Sequence, residues 1–113
     1  MLSTEIAREI ALSLPGAEEK DHFGKPSFRA NNRIFATLWE MENRVMVKLP
    51  IADQAIICAS HDEVFHPVPG GWGRMGSTFV ELDLVSRKAL KEALTIAWTA
   101  VMSKAKKKPR PAP

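Results

Sequence analysis

The amino-acid sequence predicts a single α+β domain, in which an antiparallel sheet of about four to five strands is covered by an N-terminal and a C-terminal helix. Three observations lead to this prediction. Apolar residues recur at helical spacing near both ends, apolar and polar residues alternate within positions 18–49 and 77–83, and short polar turns separate the alternating segments. Strands joined by short turns pair antiparallel, and helices must cover one face of such a sheet. The predicted order is α-β-β-β-(β)-α-β-α, within residues 1–103.

The two terminal helices are predicted from their capping residues and apolar stripes. Ser3 can cap the first helix, which ends at Pro15-Gly16 and has a narrow stripe of Ile6, Ile10 and Leu14. Ser86 can cap the last helix, which has the densest stripe in the chain: Leu90, Ala93, Leu94, Ala97, Trp98 and Val101. We expect this last helix to be the main cover of the sheet.

The middle of the chain is divided by turn residues and prolines. Asn31-Asn32 tolerates left-handed dihedrals and predicts a tight hairpin. Pro50 can open a middle helix that runs to Ala59, in which Ile56 and Ile57 are expected to be buried. A long glycine-rich loop is expected after that helix. The predicted strands are an optional edge strand at 18–23, a short strand around Phe28, and strands at 34–39, 44–49 and 78–83.

Size and composition indicate the class of protein. The chain has 113 residues, of which 45% are hydrophobic and 26% charged, as in an ordinary globular domain. Cys58 is the only cysteine and cannot form an internal disulfide, so no oxidising compartment is implied. The charged first helix is unlike a secretory signal, and no apolar run approaches the roughly 20 residues that cross a bilayer. We therefore expect a cytoplasmic protein without membrane association.

The net charge of +3 originates in the C-terminal ten residues. This segment, residues 104–113, combines three prolines with five basic residues: Lys104, Lys106, Lys107, Lys108 and Arg110. Without these five, 11 basic residues face 13 acidic ones, so the preceding domain has a net charge of −2. A segment of lysines and prolines cannot bury apolar area, which predicts a disordered basic tail.

Several short motifs resemble, in their order and spacing, those of the MmcQ/YjbR family. They are Leu14-Pro15-Gly16-Ala17-Glu18-Glu19, Phe23-Gly24-Lys25-Pro26 with Phe28-Arg29, Val45-Met46-Val47-Lys48-Leu49, and Gly71-Trp72-Gly73 with the strand and helix that follow. The resemblance covers roughly Met1 to Lys104. It implies a compact α+β domain of the double-wing, or CyaY-like, type. It also implies no agreed biochemical activity, although some members are called DNA-binding on structural analogy.

The glycine-rich loop matches a dinucleotide-binding fingerprint, Gly71-x-Gly73-x-x-Gly76, letter for letter. That fingerprint binds pyrophosphate only where it opens a helix, and here an alternating strand follows, so no cofactor is predicted. The backbone N–H groups of the loop could instead hold an anion, with Arg74 beside them and a groove near Trp72 and His66. The alternative is that the glycines only permit a tight turn while Trp72 packs against the sheet edge.

Cations and aromatic residues interleave in the hairpin region. The basic residues expected to contact nucleic acid are Lys25, Arg29, Arg33 and Arg44, together with Lys106, Lys107 and Lys108 of the tail, and the aromatic residues between the first set are Phe35 and Trp39, with Phe23 just before it. Such a mixture suits phosphate contact and base stacking. The alternative is a solvated sheet face whose charge is balanced by nearby acids: Glu18, Glu19, Asp21, Glu40 and Glu42.

Metal-dependent and nucleophilic chemistry find little support in the sequence. The segment from Cys58 to His66 contains ligand types but no second well-spaced pair, so no metal site is predicted. Cys58 lies late in its helix, where the helix dipole opposes a thiolate. Glu18 and Glu19 point to opposite faces of a strand and form no carboxylate pair. The sequence therefore favours a non-enzymatic binding domain with weak nucleic-acid (DNA) binding, or alternatively a protein- or small-ligand-binding module that uses the loop and groove near Trp72.

Overall fold

The structure is a computed structural model that describes residues 1–104. Within these residues it contains four helices and six strands. In chain order they are α1 (Thr4–Leu12), β1 (Glu18–His22), β2 (Lys25–Ala30), β3 (Arg33–Trp39), β4 (Arg44–Lys48), α2 (Ile51–Ser60), β5 (Phe65–Pro67), α3 (Gly71–Arg74), β6 (Ser77–Glu81) and α4 (Arg87–Met102). No helix within residues 1–104 is long and apolar enough to cross a membrane.

The strands form one antiparallel sheet in the order β1-β2-β3-β4-β6-β5. Tight turns with left-handed residues connect the first four strands, and one of them is the hairpin predicted at Asn31-Asn32. Asn31 and Asn32 have φ angles of 54° and 59° in the β2–β3 turn, and Asn43 has a φ angle of 54° before β4. Asn adopts this region more readily than most residues because its short polar side chain can hydrogen-bond locally.

One face of the sheet packs against the helices and forms the core. Period-two alternation places Ala36 and Leu38 of β3 on this face, opposite Val47 and Val45 of β4. Helix α4 packs across β2, β3 and β4, and its predicted stripe is buried except for Trp98, which is only partly buried. The caps Ser3 and Ser86 accept hydrogen bonds from Ile6 N and Ala89 N, as expected for the starts of α1 and α4.

Two side chains, Trp98 and Asn31, fix the C-terminal helix to distant turns through three hydrogen bonds. Trp98 Nε1 donates to Pro15 O at 2.8 Å, which ties α4 to the end of α1. Asn31 Nδ2 donates to Val101 O at 2.9 Å and to Lys104 O at 3.0 Å. The side chain of Asn31 thus binds carbonyl groups at the end of α4, where a helix leaves its last carbonyls without an intrahelical partner. It also holds Lys104 beside the β2–β3 turn.

The α+β class and the terminal helices are confirmed, while the number of elements is higher than expected. The sheet has six strands instead of four to five: the optional edge strand forms β1, and β5 lies in a stretch where no strand was predicted. The expected glycine-rich loop contains one helical turn, α3. The prediction that Ile56 and Ile57 are buried is wrong, because Ile56 is 66% exposed and Ile57 only partly buried.

Helix α2 turns a glutamine toward the protein instead. Gln54 is the buried residue of α2, and its Nε2 donates to Gly73 O (2.8 Å), Ser77 O (3.3 Å) and Thr78 Oγ1 (3.1 Å). These bonds join α2 to both α3 and the start of β6. Hydrogen bonding by Gln54, together with the packing of the partly buried Ile57 and Cys58 against the core, therefore orients α2.

Candidate functional site

The face of the sheet that the helices leave uncovered carries an aromatic cluster. Thr37, Met46 and Phe79 lie side by side on β3, β4 and β6, and Trp39 is on the same face. Trp39 and Phe79 meet edge to face, with ring centroids 4.9 Å apart. Lys25 Nζ lies 4.5 Å from the centroid of Trp39, a cation–π contact that places this lysine over the open face.

A two-part groove extends along this face and over one end of the sheet. The larger part, which we call the cationic groove, has a volume of about 600 Å³. The smaller part, which we call the aromatic pocket, has a volume of about 250 Å³ and is lined by Trp39 and Met46 among others. The two parts share four lining residues and are therefore continuous: Ile34, Lys48, Trp72 and Ser77.

Among residues 1–104, the charged residues that line the groove are all basic. Arg29, Arg33, Lys48 and Lys104 line the cationic groove, and the aromatic pocket adds Lys25. Among residues 1–104, no aspartate or glutamate lines either part. A concave surface with one sign of charge concentrates counter-ions, so this groove should attract anionic ligands.

Apolar side chains lie beside these cations. Trp72, on α3, is 68% exposed and lines both parts of the groove. Ile51 and Met75 are also exposed and line the cationic groove. Exposed large apolar side chains grouped at a concave site are typical of ligand contacts, and an indole offers a flat face for an aromatic ring.

Some of the candidate site residues predicted from the sequence line the groove, and others do not. Lys25, Arg29, Arg33 and Trp72 come together in the groove, although the sequence had placed them in two separate candidate sites. The lysines Lys106, Lys107 and Lys108 lie outside the described residues.

Arg44 and His66 lie on the open face but are held by the same carboxylate. Arg44 Nη2 is 2.9 Å from Glu81 Oε2, and His66 Nε2 is 2.6 Å from the same oxygen. Arg44 also covers the ring of Phe79, with Cζ 4.4 Å from its centroid. The Arg44 guanidinium and the His66 ring are therefore both directed toward Glu81 rather than toward the groove.

The glycine-rich loop is organised by backbone packing. Gly73 and Gly76 lie so close to the carbonyl groups of Val68 and Leu49 that a Cβ at either position would collide with them. The backbone N–H groups of Arg74, Met75 and Gly76 all donate to carbonyls of the same loop. Gly71 and Arg74 line neither part of the groove. The loop thus holds Trp72 in position, and this is its clearest contribution to the site.

Sequence reasoning missed several groove residues. Lys48 could have been found from alternation, because it shares a strand face with Met46 and Arg44. Lys104 was assigned to the tail, and its position depends on the hydrogen bond from Asn31. Ile51 and Met75 carry no sequence signal that distinguishes them from core residues.

The Cys58 thiol and the possible metal ligands outside the groove give little support for catalysis. Burial raises the pKa of the Cys58 thiol above its ordinary value, which lowers the population of the reactive thiolate. Within residues 1–104, no three side chains of His, Cys, Asp or Glu are arranged to hold a metal ion.

These features define an α+β domain with a cationic, partly aromatic groove on its sheet. The chain belongs to the YjbR family, whose model matches residues 12–100. The structure is similar to the crystal structure of protein DR2400 of Deinococcus radiodurans, which carries the family-model domain DUF419. The TM-score is 0.79 at 19% sequence identity, over 92% of this chain and 81% of that one. A comparison with curated proteins found no match.

Proposed function

We propose that this protein is a non-enzymatic nucleic-acid-binding domain that holds a phosphate backbone in the cationic groove. The observation behind the proposal is the lining of the groove, where Arg29, Arg33, Lys48 and Lys104 are accompanied by the exposed Trp72 and, among residues 1–104, by no acid. Basic side chains neutralise phosphates and release counter-ions, which supplies most of non-specific nucleic-acid affinity. An exposed aromatic ring adds base stacking.

The positions of the acids support this proposal over a balanced, solvated sheet face. Arg8 on α1 pairs with Glu5 and lies 3.0 Å from Glu19 and 3.6 Å from Glu40. Glu18 lies 3.5 Å from Lys20. Glu18, Glu19 and Glu40 are therefore engaged by cations outside the groove.

The proposal is tested by fluorescence anisotropy with a labelled single-stranded oligonucleotide at several salt concentrations. The double variant Arg29→Ala/Lys104→Ala should bind more weakly than the parent. Its plot of log K against log [salt] should be shallower by about 1.4, because each lost phosphate contact on a single strand removes about 0.7 from the slope.

The matched control is Lys88→Ala/Lys91→Ala. These lysines are exposed near the start of α4, whereas Lys104 follows its end, about 20 Å away along a helix of 16 residues. The control removes the same charge and should therefore separate local contact from a general charge effect. Equal affinities and slopes for the two double variants would place the binding elsewhere.

A second candidate function is the binding of a small anionic aromatic ligand, such as a mononucleotide. It is favoured by the aromatic pocket, where Trp39, Met46 and Val68 adjoin Lys25 and Lys48. An oligonucleotide length series distinguishes the two functions. If affinity rises with the length of the oligonucleotide, the groove is a nucleic-acid site. If a single nucleotide binds as tightly as the longer oligonucleotides, the groove is a small-ligand site.

A further inference from the structure

The turn between β1 and β2 places a phenylalanine where the chain gains little from it. Phe23 is 93% exposed, so its ring makes almost no contribution to the core. Its φ angle is 53° and that of Gly24 is 83°, in a two-residue turn flanked by the pair His22 and Lys25. The left-handed region is unfavourable for a residue with a bulky side chain, and turns of this kind prefer Asn-Gly.

The position of the turn relative to the groove offers a reason for this choice. His22 and Lys25, on either side of the turn, both line the aromatic pocket. The ring of Phe23 meets that of His22 edge to face, with centroids 4.7 Å apart. Phe23 therefore lies next to one end of the groove, and Lys104 lies at the other end. The two ends are about 20 Å apart, because the groove follows β3, whose seven residues rise about 3.3 Å each.

We propose that Phe23 is a base-stacking contact at this end of the groove, and that the ligand is single-stranded nucleic acid. The inference rests on the proposed function. A single strand that follows the cations from Lys104 through Lys48 to Lys25 reaches the hairpin tip, where an exposed ring can stack on an unpaired base. Bases in a duplex are already stacked on each other and do not present this face.

The decisive variant is Phe23→Asn, because it should change stability and binding in opposite directions. Asn suits the first position of an Asn-Gly turn, so Tm should rise by roughly 4 °C. Affinity for a single-stranded oligonucleotide should fall roughly 5- to 150-fold, the range of base–aromatic stacking. Phe23→Trp should keep the affinity of the parent, and Phe23→Leu should lose it while remaining apolar.

The control is Met41→Asn, which removes an equally exposed apolar side chain from the neighbouring β3–β4 turn. Met41 is 97% exposed, lines neither part of the groove and lies between Glu40 and Glu42. Its substitution should leave affinity unchanged. A duplex of the same sequence should bind the parent more weakly than the single strand and should be insensitive to Phe23→Asn.

Failure of this inference can be distinguished from failure of the proposed function. Suppose that the parent binds oligonucleotides and that Arg29→Ala/Lys104→Ala weakens this binding. If Phe23→Asn then leaves the affinity unchanged, the stacking contact is refuted, while the proposed binding in the groove is still supported. If Phe23→Asn converts a dimer into a monomer in sedimentation without changing affinity, the ring is a self-association contact and the inference falls. Absence of binding by the parent would overturn both.

Discussion

Replacement of Gln54 by alanine should destabilise the protein more than replacement of any exposed isoleucine on the same helix. Gln54 is 7% exposed and its amide group donates to two carbonyl oxygens and one hydroxyl: Gly73 O, Ser77 O and Thr78 Oγ1. Each bond contributes about 1 kcal/mol net, and buried acceptors that lose their donor cost more. The free energy of unfolding should therefore fall by about 2–4 kcal/mol.

The matched comparison is Ile56→Ala, two residues along α2. A fully buried isoleucine truncated to alanine costs about 2–5 kcal/mol, but Ile56 is two-thirds exposed and alanine favours the helix by a few tenths. The expected loss is about 0.5–1 kcal/mol. Hydrophobicity alone predicts the opposite order for the two substitutions, so the pair tests the orientation of the helix directly.

Urea unfolding, followed by circular dichroism, measures the free energy of unfolding of both variants. Equal m-values for the variants and the parent would show that a change in the midpoint reflects a change in stability. Because Gln54 also bonds to the carbonyl of Gly73, next to Trp72, Gln54→Ala should further loosen Trp72 and weaken oligonucleotide binding. An Ile56→Ala loss that exceeds the Gln54→Ala loss would refute the assigned packing of α2 and, with it, the positioning of Trp72.

Three further predictions concern the core, the tail and the thiol. Leu94→Ala removes a fully buried side chain of α4 and should cost about 2–5 kcal/mol in the same urea assay; a loss below 1 kcal/mol would contradict the packing of that helix. A chain that ends at Lys104 lacks Lys106, Lys107, Lys108 and Arg110 and should bind oligonucleotides more weakly and with a smaller salt slope. Arg29→Ala should further weaken the binding of this shortened chain, and an unchanged affinity would contradict the groove. Because burial raises the pKa of Cys58, iodoacetamide at pH 8 should alkylate the folded protein more slowly than the urea-unfolded protein, and equal rates would contradict this shift.

Much of the fold could be predicted because local patterns and tertiary packing agree there. Strand β4 alternates between buried and more exposed residues, and the turn at Asn31-Asn32 has the backbone conformation that its residues prefer. Strand β5 was missed since three residues, one of them proline, are too few to show a period. Helix α3 was missed because Gly71 and Gly73 are poor helix formers, and packing against Val68 holds the turn in place.

The site was only partly predictable, for a different reason. The sequence indicated both Trp72 and the cluster of Lys25, Arg29 and Arg33, but 39 positions separate Trp72 from Arg33 and no local pattern relates them. Their meeting depends on the placement of β4 between β3 and β6, which brings the loop before β6 to the end of the sheet where β3 begins. Long-range strand order is a tertiary property that alternation does not encode.

The separation of charge explains how a domain with little net charge can still present a basic surface. In the sequence, acids and bases are mixed between Glu18 and Arg44, which favours a balanced face. In the fold, strand alternation and the ion pairs of Arg8 gather acids on the side of α1 and β1, while Arg44 is neutralised locally by Glu81. Five other cations line one groove: Lys25, Arg29, Arg33, Lys48 and Lys104. Their potentials add there because no aspartate or glutamate within residues 1–104 lines it. The arrangement of side chains, more than the total of their charges, therefore decides which surface attracts an anion.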